Sequence, residues 1–133
     1  MNPAEAIAEL KELSTQIEAV VLAGRDGRPV ASSLSTAPAS KLAADAATLV
    51  AGADEVRRDL GREALHQVQA ATPDGSVFVA LDGDRMAVAT TGSDPTVGLV
   101  FYDLKTLLRQ TADDPVDDVV SAAPDAKDGD VEA

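Results

Sequence analysis

Residues 39–60 read as one long helix with almost no polar side. At about 100° per residue, Leu42, Ala46, Leu49, Ala53, Val56 and Leu60 form one stripe, and Ala43, Ala47 and Val50 widen it. Ala44 and Ala51 lie nearly opposite that stripe, and Asp45, Thr48, Glu55 and Asp59 are confined to a narrow strip. A helix this apolar around its girth needs burial on two sides. One side can be the chain's own sheet. The other calls for a second surface, and a row of alanines allows a close helix–helix approach. Gly61 supplies a C-terminal cap, and Ser35 to Ala39 reads as the loop before the helix.

The remaining segments supply the sheet. Ile17 to Ala23 reads as a strand, with Ile17, Ala19, Val21 and Ala23 on one face and Val20 and Leu22 on the other. Both faces are apolar, so both sides of the sheet are covered. Asp26-Gly27 marks a hairpin turn into a weaker strand, Pro29 to Ser33, whose first residue suits an outer position. Leu65 to Ala71 reads as a third strand. Thr72-Pro73-Asp74-Gly75 then turns into Ser76 to Leu81, and Asp82-Gly83-Asp84 into Arg85 to Thr91. These last two strands are again apolar on both faces and are expected to be central. Asn2-Pro3 starts a helix over about 3–15, with Ala6, Ile7, Leu10 and Leu13 on one side. Asp94-Pro95 repeats that signal before a helix reaching Gln110, lined by Val97, Val100, Phe101, Leu104, Leu107 and Leu108. Hairpin connections make the sheet mostly antiparallel.

Composition narrows the function. Aromatics are 2% of the 133 residues, too few to line a pocket that stacks a flat cofactor or a base. Without cysteine there is no disulfide, thiol nucleophile or Cys-ligated zinc. No signal peptide is evident, and no apolar run approaches the ~20 residues of a membrane span. A cytoplasmic location is expected. The net charge is −12, and from Thr111 onward eight acids face one base, Lys127. Residues 111–133 read as a disordered acidic tail after a domain over 1–110. Both parts repel nucleic acid and anionic membrane, which leaves a protein partner.

No chemistry-bearing pattern stands out. Gly24 to Gly27 is a turn, and a phosphate loop is absent. Asp82-Gly83-Asp84 lacks the further oxygen ligands of a cation site. His66, the single histidine, has no nucleophile elbow to serve and reads as a surface or interface residue. Arg57 and Arg58 complement the dipole at the end of the long helix. An arginine acting on a partner's nucleotide is the sharper alternative. No catalytic, cofactor-binding or metal residue is assigned.

The order of elements resembles the roadblock/dynein light chain family. The resemblance rests on AVVLAGRDGRPVASS, the helix LAADAATLVAGADEV, VFVALDGDRMAVATT and the closing amphipathic helix, and it covers about Ala8 to Leu108. Bacterial members of that family include polarity regulators of gliding bacteria and proteins encoded beside Ras-like GTPases in actinobacteria, the type this chain resembles. The resemblance implies an α+β fold: a five-stranded antiparallel sheet with the long helix on one face and the two terminal helices on the other. It implies a homodimer in which third strands pair and long helices pack. It also implies binding to a small Ras-like GTPase, whose hydrolysis some relatives accelerate without donating an arginine. The expected dimer interface takes Ala43, Ala47, Val50 and Ala51 from the helix. From the strand it takes Leu65, His66, Gln67, Val68, Gln69 and Ala70. Arg57 and Arg58 are expected to face the partner. The rival reading is a structural adaptor of the profilin-like and longin-like group with no GTPase contact.

Overall fold

The Asn2-Pro3 start behaves as its chemistry dictates. The Asn2 carboxamide oxygen accepts from the Ala4 N–H at 2.8 Å and the Glu5 N–H at 3.3 Å, and Pro3 occupies the first helical position of α1 (Pro3–Leu13). The computed structural model describes residues 1–112, so the acidic segment expected from 113 to 133 lies outside the described residues. After α1 come β1 (Ile17–Gly24), β2 (Pro29–Ser32), α2 (Thr36–Asp59), β3 (Gln67–Thr72), β4 (Gly75–Asp82), β5 (Arg85–Thr91) and α3 (Val97–Gln110).

The five strands form one antiparallel sheet in the order β2-β1-β5-β4-β3. Strands apolar on both faces sit inside it, and the two weaker ones are its edges. On one face Val20, Leu22, Phe78, Ala80, Ala87 and Ala89 pack under α1 and α3. On the other face Val21, Ala23, Val79, Met86 and Val88 pack under α2. The three layers expected from the resemblance are therefore present, as an α+β fold.

Local differences from the sequence reading have identifiable causes. Ile17 does not share a face with Val21. Between Ile17 and Ala19 the pairing with β5 slips, Ile17 opposing Thr91 and Ala19 opposing Thr90, so Glu18 is an extra residue. That bulge turns Ile17 to the side of Val20 and Leu22. α2 begins at Thr36 rather than 39, because Pro38 fits within a first turn where no intrahelical N–H is needed. α3 begins at Val97, with Thr96 and not Asp94 in the cap position. Asp94 has φ of 58°; proline after it disfavours the helical region, and aspartate tolerates the left-handed one. The third strand starts at Gln67, two residues later than expected.

Helix ends follow the signals more closely. Gly61 at φ of 67° closes α2: its N–H reaches the Arg58 carbonyl at 3.0 Å, and Arg62 N–H reaches Arg57 at 2.9 Å. Thr111, assigned from the sequence to the tail, is instead buried at the end of α3. Its hydroxyl donates to the Leu107 carbonyl at 2.9 Å and accepts from the Arg85 guanidinium at 2.9 Å.

Candidate interaction surfaces

The two sheet edges differ in protection. β2 is four residues long, begins with Pro29, and changes register between Leu22 and Ala23 of β1. Such an edge resists further pairing. β3 is six residues, QVQAAT, with a regular register along β4 and no proline or lysine. The Leu81 N–H donates to the His66 carbonyl at 3.0 Å, which makes that opposing pair a hydrogen-bonded one. Alternation then points the N–H groups of Gln67, Gln69 and Ala71 away from β4. Leu65 and His66 precede the strand. Leu65 is half-buried against the α2 layer, and His66 is exposed.

α2 presents its faces in a different phase from the sequence reading. Ala39, Ala43, Ala46, Val50 and Asp54 point into the sheet. Ala43 is 0% exposed and Val50 2%, so neither is free to meet a second chain. Their assignment to a dimer interface is corrected on that ground. Ala47 and Ala51 lie on one flank, toward the β1–β2 turn. Gly27 in that turn has φ of 88°, and a Cβ there would stand 3.3 Å from the Ala44 Cα and 3.5 Å from the Ala47 Cβ. The opposite flank carries Leu42, Leu49, Ala53, Val56 and Leu60 and looks toward β4 and β3. There Leu42 and Leu49 join Val68 and Val77 at the rim of the core. Val56 and Leu60 are 57% and 62% exposed. The apolar surface therefore continues from this flank to the unprotected strand.

Asp54 is the residue that sequence reasoning missed. It follows Val50 by four positions and so falls on the buried stripe, its side chain 12% exposed. Its carboxylate receives Arg57 Nε at 2.7 Å on one oxygen and an Arg58 guanidinium nitrogen at 2.7 Å on the other. The hydrogen bond from Arg57 is the largest influence holding the Asp54 carboxyl below its usual pKa; burial opposes it, while the charges of Arg57, Arg58 and Arg25 reinforce it. The detectable signal was an acid on an apolar stripe with arginines three and four positions later. Arg57 is turned inward, and Arg58 keeps 62% of its side chain exposed. With Arg25, Ala47 and Ala51, Arg58 borders an open depression of about 410 Å³.

This cluster makes a pH prediction. The folded carboxyl titrates below the unfolded value of about 3.9, so its stabilisation is complete above that value and is lost as pH falls through the lower folded one. Asp54→Asn should flatten the loss of stability in that acid window. Urea midpoints measured at descending pH for both proteins check this; parallel curves would refute it.

Among the described residues no group of three or more metal-ligating side chains converges, and no helix is long and apolar enough to cross a membrane. A three-layer α+β module with a five-stranded antiparallel sheet of this order has a roadblock/profilin-like fold. Acanthamoeba castellanii profilin II is similar at 15% identity and a TM-score of 0.51, over 71% of this chain and 84% of that one. Residues 4–90 match the Roadblock/LC7 domain, and the chain belongs to that family. Its members are regulatory adaptors rather than enzymes. The fold is similar to a Roadblock/LC7 domain from Streptomyces avermitilis, with 17% identity and a TM-score of 0.77 over 82% of this chain and 93% of that one. It is also similar to Myxococcus xanthus MglB, with 15% identity and a TM-score of 0.70 over 81% and 89%. No curated protein sequence matches the chain.

Proposed function

We propose that the chain is a non-catalytic, cytoplasmic regulator that works as a homodimer and binds a small Ras-like GTPase. The observation that carries the dimer is the continuity of the unprotected β3 edge with the exposed Val56 and Leu60. A two-fold axis beside β3 pairs the two edges antiparallel and lays the α2 flanks against each other, so each surface covers its own copy. Of the interface residues expected from sequence, Gln67, Val68, Gln69 and Ala70 keep that role as strand contacts. Leu65 and His66 lie at its border. Leu42, Leu49, Val56 and Leu60 take the place of the alanines.

The partner half of the proposal rests on family membership. Arg58 is the side chain offered to the partner, with Arg25 beside it; Arg57 acts behind it by clamping Asp54. Residues 1–111 form the roadblock-like domain in this reading, and the acidic segment follows it. The charge of −12 argues against nucleic acid and anionic membrane as partners.

Light scattering at micromolar concentration should return twice the chain mass. Val56→Glu with Leu60→Glu should return one chain mass with unchanged far-ultraviolet circular dichroism, because four carboxylates then meet across the axis. A monomeric wild-type protein would remove the main support. For the partner, a GTP-loaded Ras-like GTPase should bind the dimer, and Arg58→Glu should weaken that binding about tenfold or more, as loss of a charge pair in a contact does. Capture of kinases or motor proteins without any GTPase would favour the adaptor reading instead.

A further inference from the structure

Among the described residues nothing covers the outer face of the layer formed by α1 and α3. The two helices touch and run antiparallel: the Met1 ammonium donates to the Gln110 carbonyl at 2.9 Å, and the Thr96 N–H donates to the Gln16 side-chain oxygen. Leu13 at the end of α1 and Leu99 at the start of α3 therefore lie at the same end of that layer, and both are exposed. Tyr102, one turn after Leu99, is 61% exposed, whereas Phe78 and Phe101 are buried.

The phase of α3 decides what stands beside Tyr102. Phe101 meets Phe78 of β4, and Lys105 and Arg109 border one depression with Asp82 at the end of β4, so that flank of α3 looks toward β4. Asp103 lies about 200° round the helix from Lys105, on the flank toward α1. Leu99, Tyr102, Asp103 and Thr106 follow the spacing i, i+3, i+4, i+7 and share one face. Asp103 is half-buried, and among the described residues no cation lies within 4.0 Å of it. Burial holds its carboxyl above the usual carboxylate pKa. From α1, Glu5, Glu9 and Glu12 are all exposed, while Lys11 is turned onto the Ile17 and Glu18 carbonyls. The outer face is therefore apolar and acidic together.

We propose that this face docks an arginine-bearing amphipathic helix of a partner protein, its arginine on Asp103 and Tyr102 and its apolar side chains on Leu99 and Leu13. Charge complementarity selects the occupant: a cation there gains an unpaired carboxylate and the field of the α1 acids, and an acidic partner is repelled. A guanidinium fits better than an ammonium, because its plane stacks on the Tyr102 ring while its N–H fork bonds the carboxylate. The spacing of Leu99, Tyr102, Asp103 and Thr106 forms the kind of ridge against which a second helix packs. An exposed tyrosine is also a residue type in which binding energy concentrates. A half-buried carboxylate with no cation costs the free protein stability, which a contact role explains and a role in folding does not. The face lies across the sheet from α2, so this inference depends on neither the dimer nor the GTPase.

The test uses the full chain, which has one tyrosine and no tryptophan, so its ultraviolet emission reports Tyr102 alone. The probe is a synthetic helix of about 18 residues, or five turns, with leucines on one face, arginines flanking them and no aromatic residue. It should change the emission saturably and move the amide signals of α1 and α3 while leaving those of α2 in place. Asp103→Asn should weaken binding about tenfold or more, and Asp103→Glu should retain most of it. Lysine in place of the peptide's arginines should weaken binding by a smaller factor, and glutamate should abolish it. Asp103→Asn should melt no lower than the wild type, because it removes an unpaired carboxylate; this separates a lost contact from a lost fold. Binding that Asp103→Asn leaves unchanged, signals that move on α2 instead, or no binding at about 1 mM peptide would overturn the proposal. A lower melting temperature for Asp103→Asn would do the same by marking a structural role. So would emission that changes on diluting the chain alone, since a second copy then occupies the face.

Discussion

Phe78→Ala should destabilise the fold by about 3–5 kcal/mol, the range for removing a buried aromatic side chain. Phe78 is 0% exposed at the centre of the layer under α1 and α3. Its neighbours on that face of the sheet, Ala80, Ala87 and Ala89, are small, so the ring fills the space that they leave. It also meets Phe101 of α3 edge to face, with centroids 5.1 Å apart at 76°. Aromatic residues are too few for another ring to take over, and the alanines cannot collapse into the void. The loss is then a large share of the ~5–15 kcal/mol by which a domain of this size is stable. Thermal unfolding should fall by roughly 15 °C or more, at about 4–8 °C per kcal/mol. Val77→Ala, on the other face and half-buried, should cost about 1 kcal/mol. Equal shifts for the two would show that the layer under α3 is not the main core.

Much of this architecture is legible in the residues, and the illegible parts have physical reasons. β1, β4 and β5 are read correctly because strands apolar on both faces have few other places to go than the middle of a covered sheet. Their turns carry Asp-Gly and Gly-Asp pairs that fix the hairpins. The bulge at Glu18 is invisible, since nothing in IEAVVLA signals an extra residue. The phase of α2 is the instructive error. Periodicity measures the width of an apolar arc but does not say which part of it faces the chain's own sheet. Assigning Ala43, Ala47, Val50 and Ala51 to a dimer interface leaves the bulkier stripe to face the sheet. In the fold the alanines and Val50 lie against the sheet, where only small side chains let α2 approach, and the leucines hang over its rim. Asp54 escaped notice for the same reason: on the wrong phase it is a surface acid, and on the right one it is a buried carboxylate between two arginines.

If the proposed homodimer forms through β3, Gln69→Pro should convert it to monomers while leaving each monomer folded. The Gln69 N–H points away from β4 at the middle of the β3 edge, so proline there removes no hydrogen bond within the chain. Its ring instead projects along the direction in which a second β3 must approach. In a two-fold dimer the loss occurs twice. Each lost strand bond is worth about 1 kcal/mol, and each carbonyl left without a donor in the interface costs about 1–3 kcal/mol. Dissociation should therefore tighten or loosen by factors read easily in dilution experiments, and here by at least about a hundredfold toward monomer, since about 1.4 kcal/mol is tenfold. Sedimentation over nanomolar to micromolar concentration measures it, with circular dichroism as the check on folding. Leu49→Glu at the α2 flank weakens the same dimer through the helix contact, but it also disturbs a half-buried side chain of the monomer core. The proline variant separates the two effects. A folded Gln69→Pro protein that still dimerises would place the dimer axis away from β3 and leave the α2 flank as the surface that joins the chains.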